Sequence, residues 1–291
     1  MNNTGDSSKK MSTKQAVLAI LFAMLILGLA QSISLLVGNL FVKIGLSIAI
    51  GNIMAGLLYP VLTLLGISIL CKKVLKISIA DCRITRLNLR PVWCATAFVM
   101  PILVSVILLL TPGHWENTIK NTADIWSILT GGIIFIGLAT GIVEEALFRG
   151  VIMSALEYRC NKKVAIIIPS VLFGLLHILG NDMNFLSMIQ LVIAGSVVGI
   201  LFSMVTYESG SIWCSALLHG IWNIIIIGGI LHIGISPDEM SIYNYVLDTQ
   251  SFLISGGDFG IEASIISIVV YILFSVLAIY LIKKRETEVR H

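Results

Sequence analysis

Long apolar runs, each free of Asp, Glu, Lys and Arg, dominate the chain. They lie between Lys14 and Lys43, Lys43 and Lys72, Arg90 and Glu116, Asp124 and Glu144, Lys163 and Asp182, Asp182 and Glu208, Glu208 and Asp238, and Glu262 and Lys283. Each holds 18 or more residues, and a helix needs about 20 to cross a bilayer. Continuous runs of this length predict helices, because hydrocarbon offers no partner to unpaired backbone groups. A transmembrane β-barrel would instead show alternating segments of about ten residues. The expected fold class is all-α, a polytopic membrane helix bundle of about eight transmembrane helices. A polar N-terminal tail over residues 1–13, one membrane domain over 14–284 and a cytoplasmic C-terminal tail over 285–291 complete the expected organisation.

Composition agrees. Of 291 residues, 57% are hydrophobic and 12% charged, about half the charge of a soluble domain. Disorder, a nucleic-acid-binding tail, collagen and a disulfide scaffold are excluded. If eight spans alternate, sixteen of the 19 basic residues fall on one side, in the tails and in the loops around Lys72–Arg90 and Arg159–Lys163. Only Lys43 and Lys120 fall on the other, and Arg149 lies inside a span. The positive-inside rule then places both termini in the cytoplasm of a plasma membrane. The acidic loop from Ser236 to Glu262 falls outside. The first apolar run is too long for a signal peptide, and Gly28-Leu29-Ala30 is a poor cleavage site. Cys71, Cys82, Cys94, Cys160 and Cys214 are odd in number, irregularly spaced and without a CxxC pair. They are expected to be reduced and to act as small apolar fillers.

Against this background, a few polar residues stand inside apolar helices, where an ionisable group costs about 2.5–3.5 kcal/mol on insertion scales. The fourth span carries Glu144, Glu145 and Arg149; Glu145 and Arg149 share a helical face at i,i+4 in the favourable order. The fifth carries Phe173 and His177, the seventh His219 and Asn223, again i,i+4 pairs. Counting 1.5 Å per residue from the basic ends puts Glu144 at roughly 20 Å, His177 at roughly 21 Å, His219 at roughly 12 Å and Asn223 at roughly 18 Å. The four can meet in one layer.

A carboxylate and an imidazole around one water make a general base. A second imidazole and an amide can donate to a developing oxyanion. This is an inventory for hydrolysing a peptide bond within the membrane. The same residues allow a zinc held by Glu144, His177 and His219, and a metal-free glutamate mechanism is equally open. The His-Glu-x-x-His motif is absent. No pair of intramembrane Asp residues exists. Ser170, Ser196 and Ser215 read as helix glue, and Gly137-x-x-x-Gly141 and Gly195-x-x-x-Gly199 as packing faces. Trp115, Trp213 and Trp222 read as interfacial or packing residues.

Glu144-Glu145-x-x-x-Arg149, Phe173-x-x-x-His177 and His219-x-x-x-Asn223 together resemble the signature of the CPBP intramembrane protease family. It groups type II CAAX prenyl proteases with bacteriocin-processing and self-immunity proteins, the Abi family. The resemblance spans a catalytic core at about 130–229. It implies a CAAX-protease-like endopeptidase in which Glu144 and His177 activate water, His219 and Asn223 form the oxyanion site, Glu145 and Arg149 support the first glutamate, and Phe173 packs at the site. The implied partners are the lipid bilayer and a peptide or membrane-protein substrate, with no nucleic acid. Short loops and Ile-rich composition suit a bacterial membrane. Two other readings use the same residues: a non-catalytic immunity protein, in which the polar cluster is structural, and a proton relay. The second lacks the broken helices and repeats such transporters show.

Overall fold

The computed structural model describes residues 10–117 and 121–290, the last two without their side chains. The start of the N-terminal tail, with Lys9, and the loop residue Lys120 lie outside the described residues. Each of the eight apolar runs holds one helix. In chain order these are α1 (Thr13–Lys43), α2 (Ile48–Leu75), α3 (Pro91–Leu109), α4 (Thr122–Arg159), α5 (Lys162–Leu176), α6 (Phe185–Ser209), α7 (Ile212–Ile226) and α8 (Ile265–Arg290). Six are long and apolar enough to cross a membrane. The other two, α5 and α7, have 15 residues each. That is about 22 Å of helix, short of the roughly 30 Å hydrocarbon thickness. Both stop at the level of the polar cluster, and this shortfall shapes the site.

Packing follows the rule of a lipid solvent. On α1 the buried positions are Ala16, Ala19, Ala23, Ala30, Ser34 and Gly38, while Leu21, Leu25, Leu29 and Leu36 face outward. Small residues let backbones approach, and large apolar ones meet the tails. The motif glycines act as expected. A Cβ on Gly141 of α4 would lie 2.8 Å from the Gly220 nitrogen and 2.9 Å from the Ala216 oxygen of α7. A Cβ on Gly195 of α6 would lie 2.6 Å from Cα of Gly174 on α5. These two contacts draw α4 onto α7 and α5 onto α6, so that the three polar motifs converge.

Two features were not foreseen. A three-stranded sheet caps one end of the bundle: β1 (Gly113–Glu116), β2 (Leu231–Gly234) and β3 (Tyr243–Leu247), in the order β1-β3-β2. β1 pairs with β3 antiparallel and β2 with β3 in parallel. And α4 is not uniform: π-helical turns run over Gly131–Ala139 and Ala146–Ile152, on either side of the two glutamates.

The opposite, basic end is tied by charge. Glu208, 3% exposed, accepts from Trp93 Nε1 at 2.7 Å and pairs with Arg90, and its carbonyl accepts from Arg285 Nη1 at 2.6 Å. This latch joins α3, α6 and α8. Ser12 and Gln15 form a capping box on α1, and Met11 is buried with its N–H on the Tyr158 carbonyl. The cap of α1 therefore lies inside the segment read as an N-terminal tail, and α8 runs to Arg290 through the segment read as the C-terminal one. All five cysteines are free, and Cys71, Cys82 and Cys214 are buried.

Candidate active site

The structure brings the three motifs together. Glu144, Phe173, His177, His219 and Asn223 all line one cavity of about 300 Å³. Apolar side chains, among them Ile136, Leu191, Val198 and Ile227, complete its walls. Five helices contribute: α4, α5, α6, α7 and α8.

The two adjacent glutamates have different environments, as their 100° rotation on the helix predicts. Glu145 is fully buried and points away from the cavity. Its Oε1 accepts from Arg149 Nη1 at 2.8 Å and from His219 Nδ1 at 3.1 Å. Arg149 is also fully buried; its Nη2 donates to the Gly199 carbonyl at 3.2 Å. The guanidinium carbon lies 4.7 Å from the Phe173 ring centre and 5.2 Å from that of Phe202. Such stacking favours a desolvated cation. Glu144, with 16% of its side chain exposed, faces the cavity; its Oε2 lies 3.8 Å from His219 Nε2. That oxygen is itself buried and has no hydrogen-bond partner.

The imidazoles are fixed through their other nitrogens. His177 caps the end of α5, and its Nδ1 lies 2.7 Å from the Phe173 carbonyl oxygen. A carbonyl only accepts, so Nδ1 carries the proton there and the Nε2 lone pair is free. His219 is held by Glu145 on Nδ1 and stacks on Phe202, with ring centres 5.0 Å apart and planes 21° apart. Phe173 touches both imidazoles, at 4.6 Å and 5.7 Å between ring centres. Asn223 Nδ2 donates to the Ile136 carbonyl at 2.9 Å. Ile136 lies in the first π-helical stretch of α4, where the wider ladder makes a carbonyl available to a neighbouring helix.

The serines stand apart from this set. Ser170 donates to its own helix, to the Ile166 carbonyl, and Ser215 bonds Thr206.

A zinc would need Glu144, His177 and His219 on one ion. Among the described residues no three His, Cys, Asp or Glu side chains are grouped so that they could hold a metal. His219 Nδ1 is held by Glu145, which leaves Nε2 as its one open ligand atom. The side chains as they lie do not fit a metal centre, and the chemistry proposed below rests on them alone.

Several cavity residues were not singled out from the sequence. Thr140 lies one turn before Glu144, and Phe202 comes from α6. Phe259, Glu262 and Tyr271 come from the last loop and α8. Trp222, read as a packing residue, lines the cavity and donates its Nε1 to Glu262 Oε1 at 3.0 Å. Burial pushes the Glu262 carboxyl above the usual range, further raised by Glu144 and opposed by the Trp222 hydrogen bond and by His177 and His219.

Fold and site together define a class: a polytopic helical membrane protein with a carboxylate–imidazole cluster inside the bundle. Residues 126–225 match the family described as Type II CAAX prenyl endopeptidase Rce1-like. Over that segment, about a third of the chain, the resemblance to the CPBP/CAAX-protease family is borne out by a family model. The matched segment contains Glu144, Glu145, Arg149, Phe173, His177, His219 and Asn223. No curated protein and no solved structure matches the chain.

Proposed function

We propose that the protein is an intramembrane endopeptidase that hydrolyses a peptide bond with a water activated by side chains. The observation that carries this reading is the buried Glu144 Oε2, without a hydrogen bond and 3.8 Å from an imidazole nitrogen, in a mostly apolar cavity. A buried carboxylate oxygen without a donor is costly, and a water between Glu144 and the histidines satisfies it. In this reading Glu144 takes a proton from that water, with the free Nε2 of His177 orienting it. The water oxygen bonds to the carbonyl carbon, and the C–N bond then breaks as Glu144 returns the proton to the leaving nitrogen.

His219 and Asn223 supply the donors for the oxyanion. With Nδ1–H given to Glu145, His219 presents Nε2 to the cavity; carrying a proton, it donates to developing negative charge. Glu145 and Arg149 fix the imidazole and hold the paired charge without touching substrate. The apolar walls admit an apolar peptide segment, which suits a substrate in or at the bilayer.

The test is cleavage by purified protein in lipid nanodiscs. Glu144→Ala should abolish cleavage while the variant accumulates in the membrane at wild-type level. Normal cleavage by that variant would refute the assignment. Cleavage that disappears with a chelator and returns with zinc would replace it with a metal mechanism.

A further inference from the structure

The cavity holds a carboxylate that the reaction above does not use. Glu262 lies outside the family-matched segment, in the turn Ile261–Ala263 that leads into α8. It faces the same cavity as Glu144, His177 and His219. Its Oε1 accepts from Trp222, and its backbone carbonyl accepts from Tyr271. No hydrogen bond reaches Oε2 among the described residues. No Lys or Arg lines the cavity, and Arg149 is committed to Glu145 and Gly199.

Glu262 also belongs to a second cavity of about 460 Å³ at the sheet end. Ile227, Phe259 and Glu262 form the wall common to both cavities. The second cavity is also lined by Asp182, Asp238 and Asp258, and again by no Lys or Arg. Asp258 is spent on Asn184, and Asp238 on Ser241. The aspartates add a negative field to the second cavity, and Glu262 is the carboxylate on the wall common to both cavities. Glu262 is half-buried, and a carboxylate with one oxygen open to the cavity suits a cationic group, whose charge-assisted hydrogen bonds are the strong ones.

We propose that Glu262 is a specificity-determining residue: it binds a cationic side chain of the substrate, Lys or Arg, close to the scissile bond of an otherwise apolar segment. The proposal rests on the endopeptidase reading, which supplies the substrate and its scissile bond. Burial lifts the Glu262 carboxyl, and an arriving cation draws it toward the charged form.

The experiment uses the full-length protein in nanodiscs and apolar fluorogenic peptides that differ at one residue. Lys, norleucine or Glu is placed in turn at each of three positions on either side of the cleaved bond. Wild-type protein should prefer Lys over norleucine at one of these positions by at least tenfold in kcat/KM, mostly through KM. Glu262→Gln keeps an oxygen acceptor for Trp222 but removes the charge, and should bring that ratio to about one. Glu262→Lys should reverse it in favour of the Glu peptide. A wild-type ratio near one at every position overturns the proposal. So does an equal loss on all three peptides in Glu262→Gln, which would make the residue a support for α8 or a proton donor. Binding separates this proposal from the proteolytic reading. The Glu144→Ala protein should hold the Lys peptide at least tenfold more tightly than the norleucine peptide, whether or not any peptide is cut. Equal affinities there overturn the charge preference, while failure of wild-type protein to cut any peptide overturns the proteolysis alone.

Discussion

Replacing Arg149 tests how the site is held together. Arg149 and Glu145 are both fully buried and joined at 2.8 Å. Arg149→Met keeps the contacts with Phe173 and Phe202 but leaves the Glu145 charge with His219 as its one remaining partner. Breaking a buried pair from one side costs about 3–5 kcal/mol, because an uncompensated charge stays behind. The lost bond to the Gly199 carbonyl is part of the same loss. Glu145→Gln in the same chain removes that charge while keeping an oxygen for His219 Nδ1. The double variant should therefore recover at least half of the lost stability. The assay is reversible unfolding in mixed micelles, read as a double-mutant cycle. Arg149→Met within about 1 kcal/mol of wild type, or a double variant no more stable than the single, would refute the claim that burial makes this pair obligatory.

Other outcomes follow from the same geometry. Gly141→Leu should destabilise the protein by about 1–3 kcal/mol, the usual cost of overpacking, and depress cleavage with it. Its Cβ would already stand 2.8 Å from the Gly220 nitrogen, so α4 and α7 must separate; wild-type melting of that variant would contradict the close packing. Asn223→Ala should lower kcat by about 10²–10³ as an oxyanion donor is lost, with KM little changed, and a pure KM effect would remove Asn223 from that role. Cys160 is exposed while Cys71, Cys82 and Cys214 are buried. A membrane-impermeant maleimide should label Cys160 rapidly from the cytoplasmic side of oriented vesicles, and labelling from the opposite side would invert the topology expected from the basic residues.

Much of this was legible in the sequence, for physical reasons. Ionisable residues are so costly in hydrocarbon that Glu144, Glu145, Arg149, His177 and His219 stand out against apolar runs. The i,i+4 spacing then fixes which pairs share a face. The runs themselves marked the eight longest helices among the described residues, six of them long and apolar enough to cross a membrane. What stayed hidden depends on tertiary register. Glu262 reads as the edge of an apolar run, and only the fold of the turn before α8 turns it into the cavity. Trp222 carries an indole N–H that needs a partner when buried, a hint that a carboxylate lay nearby, though nothing in the sequence said which. Helices α5 and α7 end early because the chain turns at Gly180 and Gly229, both at positive φ, whereas absence of charge alone made their runs look full length. The small sheet pairs segments more than a hundred residues apart, Gly113–Glu116 with Tyr243–Leu247, and neither segment is long enough to announce itself.

The central claim is that side chains from separate helices act as one unit on one water. The most direct measurement is turnover of a single peptide by wild type, Glu144→Ala, His177→Ala and the double variant, all in nanodiscs. Groups that act together are strongly non-additive. Each single variant should lose at least about 10²-fold in kcat/KM, and the double variant no more than the worse single. Losses that multiply, or either single variant cleaving at the wild-type rate, would contradict the account.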